Sequence, residues 1–145
     1  MQELIFFTVA GIPIAQGSKI AYPRQRRDGT TAVNLVESNR VGLNAWRDHI
    51  AWCASSKMAE GLLEGPHHLK VDFWMPHNMA SVKDKRLWHS TKPDLDKLIR
   101  AVCDAMTGVV YRDDSQIAVV TASKRYVADG AEPCAEITIK RLDVQ

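Results

Sequence analysis

The chain has 145 residues, 46% hydrophobic and 25% charged, with a formal net charge of +2. That length and apolar content suffice for one domain with a proper core, while so small a net charge excludes a uniformly basic nucleic-acid protein of the histone kind. No apolar run approaches the ~18 residues of a membrane span and no charged-then-apolar leader opens the chain, so a cytoplasmic protein with no membrane partner is expected.

Leu4 to Ala10 reads as a strand rich in aromatic and β-branched residues, broken at Gly11-Ile12-Pro13. Residues 12–36 look irregular, with one short strand at Lys19 to Tyr22 and another at Thr31 to Val36. A helix of about 18 residues is expected from Asn39, with Leu43, Trp46, Ile50 and Cys53 as its apolar stripe. Gly61, Gly65 and Pro66 close that region. His68 to Met75 then alternates Leu69, Val71, Phe73 and Met75 as a half-buried strand. Residues 76–92 form a long polar loop with no evident structure of its own, and such loops are usually functional or disordered.

The next helix is the best defined. Pro93 disfavours helix at Lys92, Asp94 is a good N-cap, and Leu95, Leu98, Ile99, Val102 and Met106 repeat at helical spacing before the C′ glycine, Gly108. Asp96, Arg100 and Asp104 share the wetter side of the wheel. Val109 to Tyr111 is a short extended run, and Asp113-Asp114-Ser115 is the turn into a strand at Ile117 to Tyr126. A final strand is expected at Ala135 to Leu142. The pattern predicts an α/β (α+β) single domain, a mixed β-sheet packed with two main helices.

Two acidic clusters bracket that helix, Asp94/Asp96 before it and Asp113/Asp114 after it. Each has an ordinary explanation by itself: a cap and a dipole-complementing charge in the first case, a turn in the second. Arg100 likewise stands four residues after Asp96, the spacing of a weak helical ion pair. Together, and with basic residues on both flanks, they resemble a carboxylate site for a hard divalent cation, which takes one or two carboxylates and fills its remaining positions with water and phosphate oxygens. A helix of about 13 residues spans roughly 20 Å, so closing such a site requires the return segment to run back along the helix.

The block KPDLDKLIRAVCDAMTGVVYRDDSQI, residues 92–117, resembles the signature of the RusA family of Holliday-junction resolvases: K-P-D-x-D, a helix containing D-A, a short apolar run, then D-D-x-Q. The opening strand with Gly11-Ile12-Pro13, the basic segment near Lys19 and the central helix agree more loosely. The resemblance implies that Asp94, Asp96 and Asp114 are metal-binding catalytic carboxylates with Asp113 in support. It further implies that Mg²⁺, or Mn²⁺, is the cofactor, that branched DNA is the substrate and that the protein works as a homodimer. The family usually has lysine at the position of Arg100 and frequently asparagine at that of Lys97. An arginine keeps the positive charge for a catalytic role on the phosphate, but it is a planar fork that does not release a proton.

Basic residues fall in two runs suited to neutralising DNA phosphates: Lys19, Arg24, Arg26 and Arg27, then Lys83, Lys85, Arg86 and Lys92, with Lys97 on the helix itself. Solvated loops are the alternative for both runs. The histidines show no zinc-binding spacing, although His77 or His89 lies on the loop that feeds the acidic site. Trp88 is a candidate for stacking on an unpaired base and Trp74 for the core. Cys53, Cys103 and Cys134 are widely spaced with no C-x-x-C pair, which argues against a disulfide framework and a structural zinc site. Two other classes stay open: a metal-dependent nuclease of other branched or duplex DNA, and a non-catalytic DNA-binding protein whose carboxylates are caps or a Ca²⁺ site.

Overall fold

The computed structural model describes residues 4–17, 19–37 and 40–143; within residues 19–24 and 32–37 the backbone alone is described. Its main sheet has the order β1 (Leu4–Ala10), β6 (Cys134–Arg141), β4 (His67–Met75), β5 (Ile117–Tyr126). β6 runs antiparallel to both β1 and β4, whereas β4 and β5 are parallel. β2 (Lys19–Gln25) and β3 (Thr31–Glu37) form a separate antiparallel hairpin, each strand longer than its sequence suggests. The architecture is the expected α+β domain with a mixed sheet.

Parallel neighbours need a crossover, because no tight turn can reverse the chain and return it in the same direction. Here the crossover from β4 to β5 contains α2 (Met79–Lys83), residues 84–94 and α3 (Leu95–Met106). All of the acidic block except its last residue therefore lies on one connection, between two strands locked side by side.

Strand alternation decides which side of the sheet is covered. Leu69, Val71 and Phe73 of β4, Ala135, Ile137 and Ile139 of β6, and Phe7 and Val9 of β1 join one core with Leu43, Trp46, Ile50 and Ala54 of α1 (Arg40–Ser55). Leu98, Ala101, Val102, Ala105 and Met106 of α3 complete it. The last member of the α1 stripe is therefore Ala54, with Cys53 only partly buried against the core. The predicted start of α1 at Asn39 lies outside the described residues.

The opposite face of the sheet is polar. Ser123 donates to Asp72 at 2.7 Å, and Trp74 Nε1 donates to Glu136 at 2.6 Å. Trp74 is thus not a core residue. It shares parity with Lys70 and Asp72, where its N–H meets a carboxylate and the Arg125 guanidinium lies 5.1 Å from its ring centre.

The loop expectation for residues 76–92 also needs correcting. Asn78 accepts from Ser81 N, and the Ser81 hydroxyl accepts from Asn78 N, a reciprocal capping box that starts α2. The Asn-x-x-Ser spacing was the available signal. Beyond α2, the chain lies along the outer edge of β5: Tyr126 N donates to Leu87 O at 2.9 Å and His89 N to Lys124 O at 3.1 Å. Residues 109–111 are a turn with isolated bridges and not an extended run. Among the described residues no helix is long and apolar enough to cross a membrane.

Candidate active site

Asp94 occupies the N-cap position of α3 with extended backbone angles, but its side chain makes no capping hydrogen bond. The helix instead begins on the main chain, with Leu98 N donating to Asp94 O at 3.1 Å. The carboxylate faces Lys97 Nζ at 3.6 Å, both side chains being well exposed, so the pair adds little stability. Asp96, also exposed, sits in the first turn, where the helix dipole favours a negative charge. The Asp96–Arg100 ion pair suggested by the spacing does not form among the described residues; Arg100 acts electrostatically on Asp114.

The return after α3 is tight. Gly108 adopts φ +81°, in the left-handed region where a Cβ is unfavourable, and its N–H donates to Tyr111 O at 2.7 Å. Tyr111 is fully buried and its hydroxyl donates to Cys103 O at 2.7 Å, pinning the returning chain against the last turns of the helix. Burial is the main cause that raises the pKa values of both groups, pushing the Cys103 thiol up to about 11.

Asp113 then caps a 3-10 turn, Asp114–Gln116, by accepting from Ser115 N at 2.8 Å. Gln116 braces it: its Oε1 accepts from Arg112 N and Asp113 N at 3.0 and 3.2 Å, while its Nε2 donates to Leu63 O and Gly65 O at 3.0 and 3.2 Å. Gln116→Ala frees the turn and leaves carbonyl groups unpaired. It is expected to lower stability by about 2 kcal/mol in urea unfolding, with cleavage lowered beyond the stability loss because the turn carries Asp114.

The neighbouring aspartates of that turn are driven apart in acidity. Hydrogen bonds from Ser115 hold Asp113 below the ordinary carboxylate range. Asp114 is raised, first by lost solvation, then by its hydrogen bond to Asp113 and the charges of Asp113 and Asp104, with Arg100 opposing. Asp113 is consequently occupied as a cap, whereas Asp114 is an exposed carboxylate with surplus negative charge around it.

Fold and return together place Asp114 within the electrostatic reach of Arg100 and Asp104 on the wet face of α3, while Asp94 keeps to Lys97 at the helix start. Among the described residues no three His, Cys, Asp or Glu side chains are gathered as a metal cage. The donor chemistry nonetheless suits a hard cation: every candidate ligand is a carboxylate, Asp94 is uncapped, and all three are open to the water that such an ion retains.

A groove of about 540 Å³ opens beside Asp94, with Lys92 and Lys97 on one wall and the apolar segment Ile12–Ala15 on the other. Gln16 N donates to Lys97 O at 3.0 Å and ties that segment to α3. The remaining basic residues are spread more widely. Lys83, Lys85 and Arg86 are exposed on and after α2, Arg86 being paired with Asp84 at 2.6 Å. Arg26 and Arg27 are exposed in the turn between β2 and β3, whereas the side chains of Lys19 and Arg24 lie outside the described residues.

Structural contacts occupy the loop histidines. His77 stacks on Tyr126 at 4.8 Å and bonds both Ser81 Oγ and Val127 O, while His89 packs tilted on the same Tyr126 ring. Trp88 is exposed, with the Arg125 guanidinium 5.3 Å from its ring centre.

Lys124 escaped the sequence reading. It is register partner to Phe73, on the helix-covered side of β5, and its Nζ donates to Thr91 O and Pro93 O, both at 2.6 Å. Burial draws its pKa down against the raising influence of Asp94. A lysine at an inward parity of a strand was the signal that pointed to it.

The family model described as Endodeoxyribonuclease RusA matches residues 18–140. A Bacillus subtilis (strain 168) protein described as "Uncharacterized protein YqaN" is 30% identical over 150 residues, spanning 97% of this chain and 98% of its own.

Proposed function

The chain belongs to the RusA endodeoxyribonuclease family, and from that premise we propose that it resolves four-way DNA junctions by divalent-metal-dependent hydrolysis, making paired, symmetric nicks. The observation that carries this reading is Asp114: an exposed carboxylate at the turn after α3, with the negative charges of Asp113 and Asp104 acting on it and the positive charge of Arg100 opposing them. Excess negative charge of this kind, from Asp113 and Asp104 acting on Asp114, favours an added cation.

Asp94, Asp96 and Asp114 are the residues that would hold Mg²⁺, with Mn²⁺ as a substitute. When bound, such an ion lowers the pKa of a water and offsets charge on the phosphate. Asp113 supports Asp114 by fixing the turn. Arg100 meets the charge that builds on the phosphate oxygens; having no proton to release near neutral pH, it acts as an electrostatic partner and not as a base. Lys92 and Lys97 take the phosphates of the strand entering the groove. The outlying cations Lys19, Arg24, Arg26, Arg27, Lys83, Lys85 and Arg86 meet the DNA arms and make binding salt-dependent.

Nicks at two symmetry-related strands require two sites at a fixed separation, which a two-fold homodimer supplies. Light scattering is expected to report about twice the 16.2 kDa chain mass.

The decisive experiment incubates the protein with a labelled four-way junction, a replication fork and a linear duplex, each with Mg²⁺ and with EDTA. Paired junction nicks that vanish in EDTA are expected. Equal cleavage of fork or duplex would replace the resolvase reading with a broader nuclease, and junction binding without cleavage under any divalent metal would leave a non-catalytic DNA-binding protein.

A further inference from the structure

We propose that Lys124 is a positioning residue for the acidic cluster, its ammonium holding the chain that presents Asp94 and so setting the metal affinity of the site. The inference rests on the assignment of Asp94 as a metal ligand and adds what fixes that ligand in place.

An aspartate at an N-cap is ordinarily fixed by accepting from a backbone N–H of the first turn. Asp94 makes no such bond, so its carboxylate is left available but its position must be secured in another way. The partner that remains on its own helix, Lys97 at 3.6 Å, is an exposed lysine with a long side chain, a weak restraint.

Lys124 supplies the stronger one. Its two bonds, to Thr91 O and Pro93 O, are short and charge-assisted, and they grip the carbonyls on either side of Lys92, immediately before Asp94. The main chain of the same residue accepts from His89 N at 3.1 Å, so one strand position holds the approaching segment at three points. The anchor is sound, because β5 is paired along its length with β4, the strand buried at the centre of the core.

The location of this cation also calls for a reason. An ammonium beside the N-terminus of a helix opposes the helix dipole. Two carbonyl acceptors and the negative charge of Asp94 compensate for it. A lysine serving only to fill space would lie more favourably elsewhere. Two of the three donors of Lys124 are committed to backbone carbonyls and it does not line the groove, which separates it from Lys92 and Lys97 on the groove wall.

The test compares full-length wild type with Lys124→Met and Lys124→Arg. Mn²⁺ binding is measured by calorimetry without DNA, cleavage is followed across a Mg²⁺ titration, and junction affinity is measured in EDTA. Loss of an outer-shell support of this kind typically weakens metal binding by about 10- to 100-fold. Lys124→Met is expected to bind Mn²⁺ at least tenfold more weakly and to need correspondingly more Mg²⁺ for half-maximal cleavage, with junction affinity unchanged. Lys124→Arg, which keeps charge and donors, is expected to recover most of the metal affinity.

Wild-type metal affinity in Lys124→Met would overturn the proposal, as would a loss of junction affinity in EDTA as large as the loss of metal affinity. If circular dichroism finds the methionine variant unfolded, Lys124→Arg and Lys124→Gln decide by the same readouts, glutamine being expected to fall below arginine. A wild-type protein that binds no Mn²⁺ would instead remove the metal-site reading itself.

Discussion

Replacing Asp94 with asparagine is expected to abolish junction cleavage, a fall of about 1,000-fold or more, equal to ~4 kcal/mol of transition-state stabilisation. The carboxylate makes no cap bond, so the helix start loses little when its charge goes. Junction affinity in EDTA should hold or tighten, since a negative charge beside the groove is removed. Asp113→Asn gives the contrasting result. Its carboxylate is spent on Ser115 N, and an asparagine oxygen accepts from the same N–H, so substantial cleavage should survive. A gel assay of both variants on one labelled junction, with binding measured in parallel, checks the pair; cleavage by Asp94→Asn near the wild-type rate would sink the assignment of that residue.

Arg100→Ala carries the second large effect. Removing a preorganised charge from a transition state costs on the order of 100-fold in rate, and Arg100 should lose that much in kcat with little change in junction affinity. Equal losses in both would make it a simple phosphate anchor. The variant also predicts a pH effect with a definite sign. Arg100 is the group that opposes the upward shift of Asp114, so without it Asp114 holds its proton to higher pH. The acidic limb of the pH–rate profile should therefore move upward in Arg100→Ala and return towards its original position in Arg100→Lys, which restores a cation.

Much of this was legible in the sequence because its signals were local. The apolar stripe of α3 and the glycine that ends it follow from spacing and from the freedom of residue 108 to take a positive φ, and the acidic block carries the family signature in one continuous stretch. The fold class was legible for a similar reason, the alternation of Leu69, Val71, Phe73 and Met75 identifying a strand with one covered face.

What escaped depends on strands pairing far apart in sequence. The role of Lys124 exists only because β5 lies beside the segment leading into α3. Trp74 looks like core until register assigns it to the polar face. Gln116 was visible as a letter in a motif, but its bonds to Leu63 and Gly65 bridge a gap of some fifty residues. Asp104 was visible on the helix wheel, yet its coupling to Asp114 needed the reversal at Gly108.

The pairing of residues 87–89 with the outer edge of β5 has a consequence for solubility. A strand at the border of a sheet offers unpaired N–H and C=O groups that recruit strands from other molecules, the usual route to edge-to-edge aggregation. β5 bears exposed Val119 and Val120 and would be such a template along its whole length, but Leu87 and His89 satisfy its backbone near Lys124 and Tyr126. Among the described strands of the main sheet, that leaves as open borders β1, bonded on one side to β6, and the first half of β5, where Val119 and Val120 are exposed. Variants that loosen residues 87–89 should accordingly precipitate more readily on heating, even where their folding free energy is little changed.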